Sequence, residues 1–341
     1  MGGRRAVGAG WALGAGAASM KVLVTGASGM TGRAVATALL HRGDDVTVLQ
    51  RRTAGIDTTE VLGDVADVQL IRSAVRGHDA VLHMAAKVDV VGPWEQYLRV
   101  NVDGTRSVVQ ACRAAGVPRL IFVSSPSVAH AGEPLTGAGA GAADPTGARS
   151  NYSRSKAMAE QLALAADGAE LAVLAVRPHL IWGPGDTQLI GPILQRARAG
   201  RLLLVAGGTA LIDTTYEDNA VDALVAAVDA CGPVHGAALV VSNGEPRPVA
   251  EILGRVCAAA GVPGPTRRVP LRVAMVAGAV VEGAWRLTRR PGVPPITRFL
   301  AEQLGTAHWF DQRRTRSALG WTPKISLDAG FEMLRRSFVP E

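Results

Sequence analysis

The sequence predicts an α/β fold in which helices cover both faces of a doubly wound parallel sheet, followed by a smaller C-terminal part. Short apolar segments alternate with helical patterns through the first half of the chain, which is typical of a parallel sheet. The 341 residues are 48% hydrophobic, enough for one large or two modest domains. We expect a first domain at 20–178 and a smaller part at 179–341, whose segments at about 205–245 return to the sheet.

Strands and helices alternate regularly in the first domain, and the alternation becomes less regular after residue 178. The apolar runs predict strands at 22–24, 45–50, 59–64, 79–83, 119–124 and 171–176. Helical patterns lie between them, at 33–40, 65–76, 97–115 and 152–166. The Gly/Ala/Pro-rich segment 132–149 is expected to form a mobile loop.

Three glycines end the first strand, and they predict a cradle for a dinucleotide. Gly26, Gly29 and Gly32 let the backbone approach a pyrophosphate, and the free N–H groups of the following helix attract its charge. The spacing is weak evidence by itself, because the chain contains 40 glycines. An ordinary β–α turn is the alternative.

Composition argues against a nucleic-acid partner and against a bound metal. The net charge is +7, but the arginines are scattered and aromatic residues make up only 4% of the chain. The three cysteines, Cys112, Cys231 and Cys257, lack metal-ligand spacing and fit reduced thiols. We therefore expect a cytoplasmic protein that binds neither metal nor nucleic acid.

Two segments stand apart from the domain pattern. Residues 1–19 resemble a signal peptide superficially, but a strand follows at once, so we expect a disordered or non-native extension. Residues 270–290 are mostly apolar and flanked by arginines, yet too short and glycine-rich to span a bilayer. That segment could contact a membrane surface, line an apolar substrate entrance or form a buried core helix.

Tyr152 and Lys156 are the strongest catalytic candidates. Their i, i+4 spacing places phenol and ammonium on one helix face, where the cation lowers the phenol pKa toward that of a working proton donor. The chain has only three tyrosines and four lysines, so the pair is statistically unusual. A lysine in a chain that mostly uses arginine also indicates a need for a compact ammonium.

Together these motifs resemble the extended short-chain dehydrogenase/reductase family of the NAD-dependent epimerase/dehydratase superfamily. The resemblance covers residues 20–338, and its motifs are Gly26-x-x-Gly29-x-x-Gly32, Asp64, 83–86, Asn101, Ser124-Ser125 and Tyr152 with Lys156. The stretches 92–95, 124–128, 177–186, 297–300 and 308–311 are similar to the 3β-hydroxysteroid dehydrogenase-like branch. Within that branch, the bacterial 2-alkyl-3-ketoalkanoic acid reductases are the most similar group.

The resemblance implies a Rossmann sheet and a role for each catalytic residue. Tyr152 would be the acid for ketone reduction or the base for alcohol oxidation, and Lys156 would hold the nicotinamide ribose. Ser125 would bind the substrate oxygen, and Asn101 would order the backbone and water around Lys156. The implied cofactor-binding residues are Gly26, Ser28, Gly29, Met30, Gly32, Arg51, Arg52, Asp64, Val65, Ala85, Ala86, Lys87, Ser124, Tyr152, Lys156, Pro178 and Leu180.

The residues after the second strand favour NADP(H) over NAD(H). An acidic residue at that strand end would bind the ribose 2′-hydroxyl, whereas arginine accommodates a 2′-phosphate. Here Gln50 is followed by Arg51 and Arg52. A solvated arginine pair without a ligand is the alternative.

The substrate is expected to be hydrophobic, either a 3-keto or 3β-hydroxy steroid or a 2-alkyl-3-keto acid. Many nucleotide-sugar epimerases and dehydratases of the family carry a phosphate-binding arginine where this chain has Ile212. A nucleotide-sugar epimerase or dehydratase and a non-catalytic NADP-binding regulator remain the alternatives. The sequence leaves open the direction of catalysis and any decarboxylation, and the resemblance implies a homodimer through helices 97–115 and 151–166.

Overall fold

The structure is a computed structural model that describes residues 19–89, 92–130, 132–288 and 296–339. The prediction for residues 1–19 therefore falls, except at Ser19, outside the described residues. The elements up to residue 182 are β1 (Lys21–Thr25), α1 (Met30–Arg42), β2 (Asp45–Gln50), β3 (Thr59–Leu62), α2 (Val68–Ala74), β4 (Ala80–His83), α3 (Trp94–Tyr97), α4 (Gly104–Ala115), β5 (Arg119–Val123), β6 (Leu135–Ala138), α5 (Asn151–Leu164), β7 (Ala172–Pro178) and β8 (Ile181–Trp182).

The remaining elements alternate less regularly. They are α6 (Ile190–Arg198), β9 (Leu203–Val205), β10 (Leu211–Ile212), β11 (Thr215–Tyr216), α7 (Glu217–Ala230), β12 (Ala237–Val241), β13 (Arg247–Pro248), α8 (Val249–Ala259), β14 (Arg267–Val269), α9 (Leu271–Thr288), α10 (Arg298–Gly305), β15 (His308–Phe310), α11 (Arg313–Leu319) and α12 (Leu327–Phe338). None of the described helices is long and apolar enough to cross a membrane.

A seven-stranded parallel sheet in the order β12-β7-β5-β4-β1-β2-β3 confirms the predicted fold class. Successive residues of β1 face opposite sides, so Val22 and Val24 pack in one hydrophobic cluster and Leu23 in the other. Helices α1 and α7 cover the first face, and α2, α4 and α5 cover the second. Helices on both faces bury the central strands, as is usual for parallel sheets, while the edge strand β3 stays partly exposed.

The C-terminal half adds a third apolar cluster, around Trp182. Its indole stacks on Phe331 at 4.6 Å between ring centroids and meets Tyr216 edge-on at 5.4 Å. A four-stranded sheet in the order β13-β10-β15-β6 combines three strands of this half with β6 from the first half, and β12 returns to the central sheet. The division into two domains at residue 178 stays a prediction.

One sequence prediction of local structure is wrong. The segment 132–149 contains the strand β6, because its partner β15 comes from a part of the chain that local patterns cannot connect to it. The predicted helix at 97–115 is confirmed, and the sequence did not reveal that a π-helical stretch at Leu98–Asp103 joins α3 to α4 within it. Such π-bulges are frequent at functional sites.

A fully buried ion pair attaches α5 to β7. Arg177 donates from Nε to Glu160 Oε2 at 2.8 Å, and each side chain is 1% exposed. Arg177 also donates from Nη2 to Glu160 and to the carbonyl of Gly141. Two parallel hydrogen bonds between planar groups fix orientation as well as distance.

Arg177→Met should destabilise the protein by about 3–5 kcal/mol, because it leaves the Glu160 carboxylate buried without a partner. Urea unfolding monitored by circular dichroism measures this change. Arg335→Met removes a partner from the exposed Glu332 and should leave the unfolding midpoint unchanged. Equal midpoints for the two variants would contradict the structural role of the buried pair.

Candidate active site

The carboxyl ends of the parallel strands open into a cleft of about 800 Å³. Loops diverge at this edge of a doubly wound sheet, which is where ligands bind in such folds. All but one of the predicted cofactor-binding residues line the cleft, namely Gly26, Ser28, Gly29, Met30, Gly32, Arg51, Arg52, Asp64, Val65, Ala85, Ala86, Ser124, Tyr152, Lys156, Pro178 and Leu180. Ser125 lies on the same wall.

The glycine turn after β1 needs glycine for two steric reasons. Gly26 has a φ of +85°, and a Cβ there would lie 2.8 Å from the backbone nitrogen of Ala85. A Cβ on Gly32 would collide with the carbonyl oxygen of Gly26. The turn leads directly into α1, and its N-cap residue Gly29 has no side chain that could cap the helix. The first N–H groups of α1 are therefore available to an anion in the cleft.

Three buried polar atoms on the cleft wall have no hydrogen-bond partner within the described residues. They are Ser124 Oγ, Gln50 Oε1 and His179 Nδ1, in residues that are 6%, 4% and 6% exposed. Buried polar atoms are rarely left unpaired in a folded protein. Together with the glycine turn, these atoms show that the wall fits a polar ligand such as a dinucleotide.

Arg51 and Arg52 lie exposed on the cleft wall just after β2, and the ion pairs found among the described residues include neither guanidinium. The loop that carries them is held by Glu60, which accepts hydrogen bonds from Gln50 Nε2 and the backbone N–H of Ala54. Hydrogen bonds from the Ala54 backbone and from the Thr53 and Gln50 side chains, in that order of effect, hold the Glu60 pKa below its usual range. Both arginines thus remain available to an anionic group.

Helix α5 brings Tyr152 and Lys156 to the cleft beside Ser125. A capping box between Ser150 and Ser153 begins this helix. Burial raises the Tyr152 pKa, and a hydrogen bond with Ser125 opposes that rise. The Ser125 hydroxyl also accepts from the backbone N–H of Ser127 at 3.3 Å, so this serine is a turn residue as well.

Lys156 is 3% exposed, and its ammonium donates to the carbonyl of Val123 at 2.6 Å. The ammonium also lies 4.1 Å from the centroid of the Phe122 ring. Burial lowers the Lys156 pKa to about 7, although the Glu160 carboxylate one turn along α5 acts in the opposite direction. Lys156 can therefore gain or lose a proton near neutral pH.

Asn101 lies in the π-helical stretch and does not reach the cleft wall. Its Oδ1 accepts from the backbone N–H of Lys87 at 2.7 Å, and its Nδ2 donates to the Lys87 carbonyl at 3.1 Å and to Ser155 Oγ at 2.8 Å. Asn101 thereby ties the loop after β4 to the residue next to Lys156 on α5. The structure thus gives it contacts that order the backbone.

Two residues that the sequence associated with the cleft do not line it. The Lys87 side chain does not line the cleft, because its ammonium pairs with Asp89 at 2.6 Å. Ile212, which stands where many nucleotide-sugar enzymes carry a phosphate-binding arginine, is 6% exposed and packs in the cluster around Trp182, so it does not line the cleft.

The sequence did not predict the buried hydrogen bond between Thr25 and His83 beside the glycine turn. Thr25 Oγ1 and His83 Nδ1 are 2.7 Å apart, and the same hydroxyl accepts from the backbone N–H groups of Met84 and Ala85. Burial lowers the His83 pKa to about 3, so the imidazole is neutral. The pair shapes the loop that lies against Gly26.

The far end of the cleft contains three buried histidines that the sequence did not single out. His308 donates from Nε2 to the Gln303 carbonyl at 2.8 Å, which leaves its Nδ1 to accept from His179 Nε2 at 3.1 Å. Gln303 Nε2 lies 3.2 Å from His130 Nδ1, and His130 Nε2 lies 3.1 Å from the Glu133 carbonyl. Burial lowers the pKa of all three, that of His308 to about 4, so the cluster is neutral.

Apolar side chains surround this histidine cluster. They come from β6, α10 and β15 and from the loops after β7 and before α6, and they are Leu135, Leu180, Leu189, Phe299, Leu300 and Phe310. The lysines and arginines of the described cleft wall are Arg51, Arg52 and Lys156, so this end has no permanent cation. No spacing in the sequence connects these residues, since they converge only in the folded chain.

Comparison with protein families gives a match over most of the chain. Residues 23–266 match the model of the 3-beta hydroxysteroid dehydrogenase/isomerase family. The 2-alkyl-3-oxoalkanoate reductase of Stenotrophomonas maltophilia (strain K279a) is 42% identical over 330 residues, covering 93% of this chain and 99% of that protein. The decarboxylating sterol-4-alpha-carboxylate 3-dehydrogenase of Homo sapiens is 30% identical, covering 92% and 87%. These matches confirm the resemblance drawn from the motifs.

Solved structures agree with the fold. MoeE5 in complex with UDP-glucose and NAD is 26% identical, with a TM-score of 0.71 and coverage of 93% of this chain and 98% of that one. A short-chain dehydrogenase/reductase superfamily protein from Agrobacterium tumefaciens with bound NAD has a TM-score of 0.73. It covers 93% of this chain and 96% of its own, and at 22% identity it shows the fold alone.

Burial of Lys156 should make stability depend on pH. Its native pKa of about 7 lies below the ordinary 10.5, so between these values only the unfolded chain holds the proton and stability rises with pH. Relative to Lys156→Met, the wild type should gain about 2 kcal/mol between about pH 7 and pH 9 in urea unfolding. Lys324→Met, at a side chain that is 64% exposed, is the control and should show no such difference. A pH-independent difference between wild type and Lys156→Met would contradict the low pKa.

Proposed function

Because the chain belongs to the 3-beta hydroxysteroid dehydrogenase/isomerase family, we propose that it interconverts the ketone and the secondary alcohol of a 2-alkyl-3-oxo acid with NADP(H). Membership makes it an NAD(P)-dependent dehydrogenase or reductase, an oxidoreductase that uses a nicotinamide dinucleotide. The substrate, the NADP(H) preference and the residue roles are the proposal. One observation carries it: Tyr152, Ser125 and Lys156 lie between a glycine turn and an apolar cleft end.

Each catalytic residue receives a role from its contacts. When bound, the dinucleotide supplies or accepts the hydride at the substrate carbon. Ser125 donates a hydrogen bond to the substrate oxygen, and Tyr152 gives that oxygen its proton during reduction or removes it during oxidation. Lys156 stabilises the tyrosinate that this transfer leaves, because a nearby cation lowers a phenol pKa.

We propose that Asn101 holds the groups around Lys156 in position. Its three hydrogen bonds hold the loop after β4 and the helix that carries Lys156 at a fixed separation. A catalytic group must stay within hydrogen-bond reach of the reacting oxygen, so loss of this brace would misplace the proton donor.

The far end of the cleft supports a substrate that is mostly hydrocarbon. Its wall combines leucine and phenylalanine side chains with neutral histidines, and neither lysine nor arginine reaches it among the described residues. A sugar diphosphate buried there would lack cations to balance its charge. The amides of Gln188 and Gln303 offer hydrogen bonds to a single carboxylate.

Similarity of sequence favours the same substrate class. The reductase from Stenotrophomonas maltophilia is 42% identical, whereas MoeE5, solved with UDP-glucose, is 26% identical. The nucleotide-sugar epimerase or dehydratase is therefore the second candidate. A non-catalytic regulator is disfavoured, because Tyr152 and Lys156 are both retained at the cleft. A homodimer through α4 and α5 stays a prediction.

Tyr152→Phe tests the reaction and the proton donor together. Because 3-oxo acids lose CO₂ readily in water, the assay uses 2-alkyl-3-hydroxy acids and follows NADP⁺ reduction by absorbance. The wild type should turn over these acids, and the variant should lose about 10²–10⁴-fold in kcat, because no group accepts the alcohol proton. The variant should keep its unfolding midpoint and its affinity for NADPH.

Turnover of nucleotide sugars, without turnover of hydrophobic 3-hydroxy acids or 3β-hydroxysteroids, would contradict the proposed substrate. Retained nucleotide is an independent readout, since an epimerase keeps its cofactor tightly while a reductase exchanges it at every turnover. Protein purified without added nucleotide should therefore contain little of it.

The double variant R51A/R52A tests the cofactor preference. It should raise KM for NADP⁺ about 10–100-fold, because the 2′-phosphate loses charge-assisted hydrogen bonds. KM for NAD⁺ should change less than about threefold, since NAD⁺ lacks that phosphate. Arg33→Ala, outside the cleft wall, is the matched control. A wild-type preference for NAD⁺ would show the proposal to be wrong.

A further inference from the structure

The three buried histidines at the far end of the cleft form hydrogen bonds that determine which ring nitrogens carry protons. His308 Nε2 lies 2.8 Å from the Gln303 carbonyl, which can only accept, so this nitrogen donates and Nδ1 of the neutral ring accepts. The donor to that Nδ1 is His179 Nε2, at 3.1 Å. His130 donates from Nε2 to the Glu133 carbonyl and accepts at Nδ1 from the Gln303 amide. His179 Nδ1 is therefore left as an unprotonated acceptor.

This acceptor has no hydrogen-bond partner among the described residues, although His179 is 6% exposed and lies on the cleft wall. His179 directly follows β7, which pairs in parallel with β5, the strand that leads into Ser125. It therefore lies at the strand end next to a residue proposed to bind the substrate oxygen. A buried nitrogen without a partner at such a place indicates a group that a ligand contacts.

A carboxylate next to this nitrogen would need a proton. Carboxylate oxygens and an unprotonated imidazole nitrogen are both acceptors, so they repel each other. Lysine and arginine side chains are absent from the described wall at this end, and a buried anion without a counter-charge is costly. One proton on Nδ1 removes both penalties, because it converts the acceptor into a charge-assisted donor.

Nδ1 of His179 can also take this proton without breaking an existing hydrogen bond. A proton on Nδ1 of His308 or of His130 would replace an acceptor that is already in use. Protonated His179 would still donate from Nε2 to His308, and His308 would still donate to the Gln303 carbonyl. The cluster therefore accommodates one positive charge at one defined atom.

We propose that His179 binds the carboxylate of the substrate and takes up one proton from the solvent at Nδ1 when it does so. The carboxylate of a 2-alkyl-3-oxo acid is two bonds from the ketone carbon, so it accompanies the reacting oxygen into this part of the cleft. The empty site stays neutral and suits hydrocarbon, and the positive charge arrives only with the anion. This inference rests on the proposed function for the identity of the acid.

Other titratable groups surround His179. Those that face it or share its wall are His308 on β15, His130 after β5, Asp213 after β10, Asp186 before α6 and Lys156 on α5, with Glu302 and Arg149 beside His130. Burial lowers the His179 pKa, the two neighbouring histidines lower it further, and the backbone of Asp213 raises it. Burial raises the pKa of the Asp213 carboxyl to about 6, although Ser242 donates a hydrogen bond to it. A test must therefore separate proton uptake by His179 from uptake by Asp213 or Lys156.

The test is a calorimetric titration of the full chain, in the presence of excess NADP⁺, with 2-butyloctanoate, which lacks the 3-oxygen and does not react. Titrations at about pH 6.5 in two buffers of different ionisation enthalpy give the number of protons taken up, and the wild type should take up about one. Because the complex holds this proton, Kd for the acid should rise about tenfold per pH unit between about pH 6 and pH 7, relative to Kd for the uncharged 2-butyloctanamide. The amide should bind without proton uptake.

H179Q should bind the acid without proton uptake and bind the amide within about threefold of the wild type, since glutamine donates a hydrogen bond but does not titrate. H130Q is the matched control and should keep the uptake, because both nitrogens of His130 already have partners. Both variants should keep the wild-type unfolding midpoint.

Proton uptake that persists in H179Q would assign the proton to Asp213 or Lys156 and overturn the proposal. Absence of acid binding by the wild type would also overturn it. The titrations involve no turnover, so they are independent of the reaction assay. Uptake that depends on His179, together with no turnover of 3-hydroxy acids, would refute the proposed reaction and support this carboxylate site.

Discussion

The buried ion pair between Glu160 and Arg177 fixes the position of α5 relative to β7, and these two elements carry residues at the centre of the cleft. It joins α5, which carries Tyr152 and Lys156, to β7, whose end continues into the cleft wall at Pro178. An ion pair without access to water tolerates neither a missing partner nor a shifted one, because an unpaired buried charge is very costly. The helix therefore cannot slide along the sheet, and the tyrosine stays in register with Ser125.

The same carboxylate also affects the chemistry of the site. Burial of Lys156 favours the loss of its proton, while the Glu160 carboxylate one turn away opposes that loss. The resulting pKa of about 7 places a buried ammonium next to a tyrosine whose own pKa is raised. The position of α5 and the protonation of Lys156 thus depend on the same buried carboxylate.

The two ends of the cleft differ in charge and polarity. One end contains the glycine turn, the N–H groups at the start of α1 and two arginines that form no ion pair with the residues described in the structure. These groups suit a phosphate-bearing ligand. At the other end, burial keeps three histidines neutral among leucine and phenylalanine side chains. Because the arginines of the described cleft wall lie at the first end, the two ends suit ligand groups of different charge.

The sequence by itself determined the parallel sheet, the glycine turn and the pairing of Tyr152 with Lys156, because local spacing encodes each of them. Only the tertiary structure decided which residues meet beyond that range. The strand β6 pairs with β15, and His130, His179 and His308 converge through contacts between residues far apart in the chain. The exposure of Val273, Val276, Val280 and Leu287 on α9 also depends on the tertiary structure. An apolar helix is buried or exposed according to what packs against it, and no local pattern contains that information.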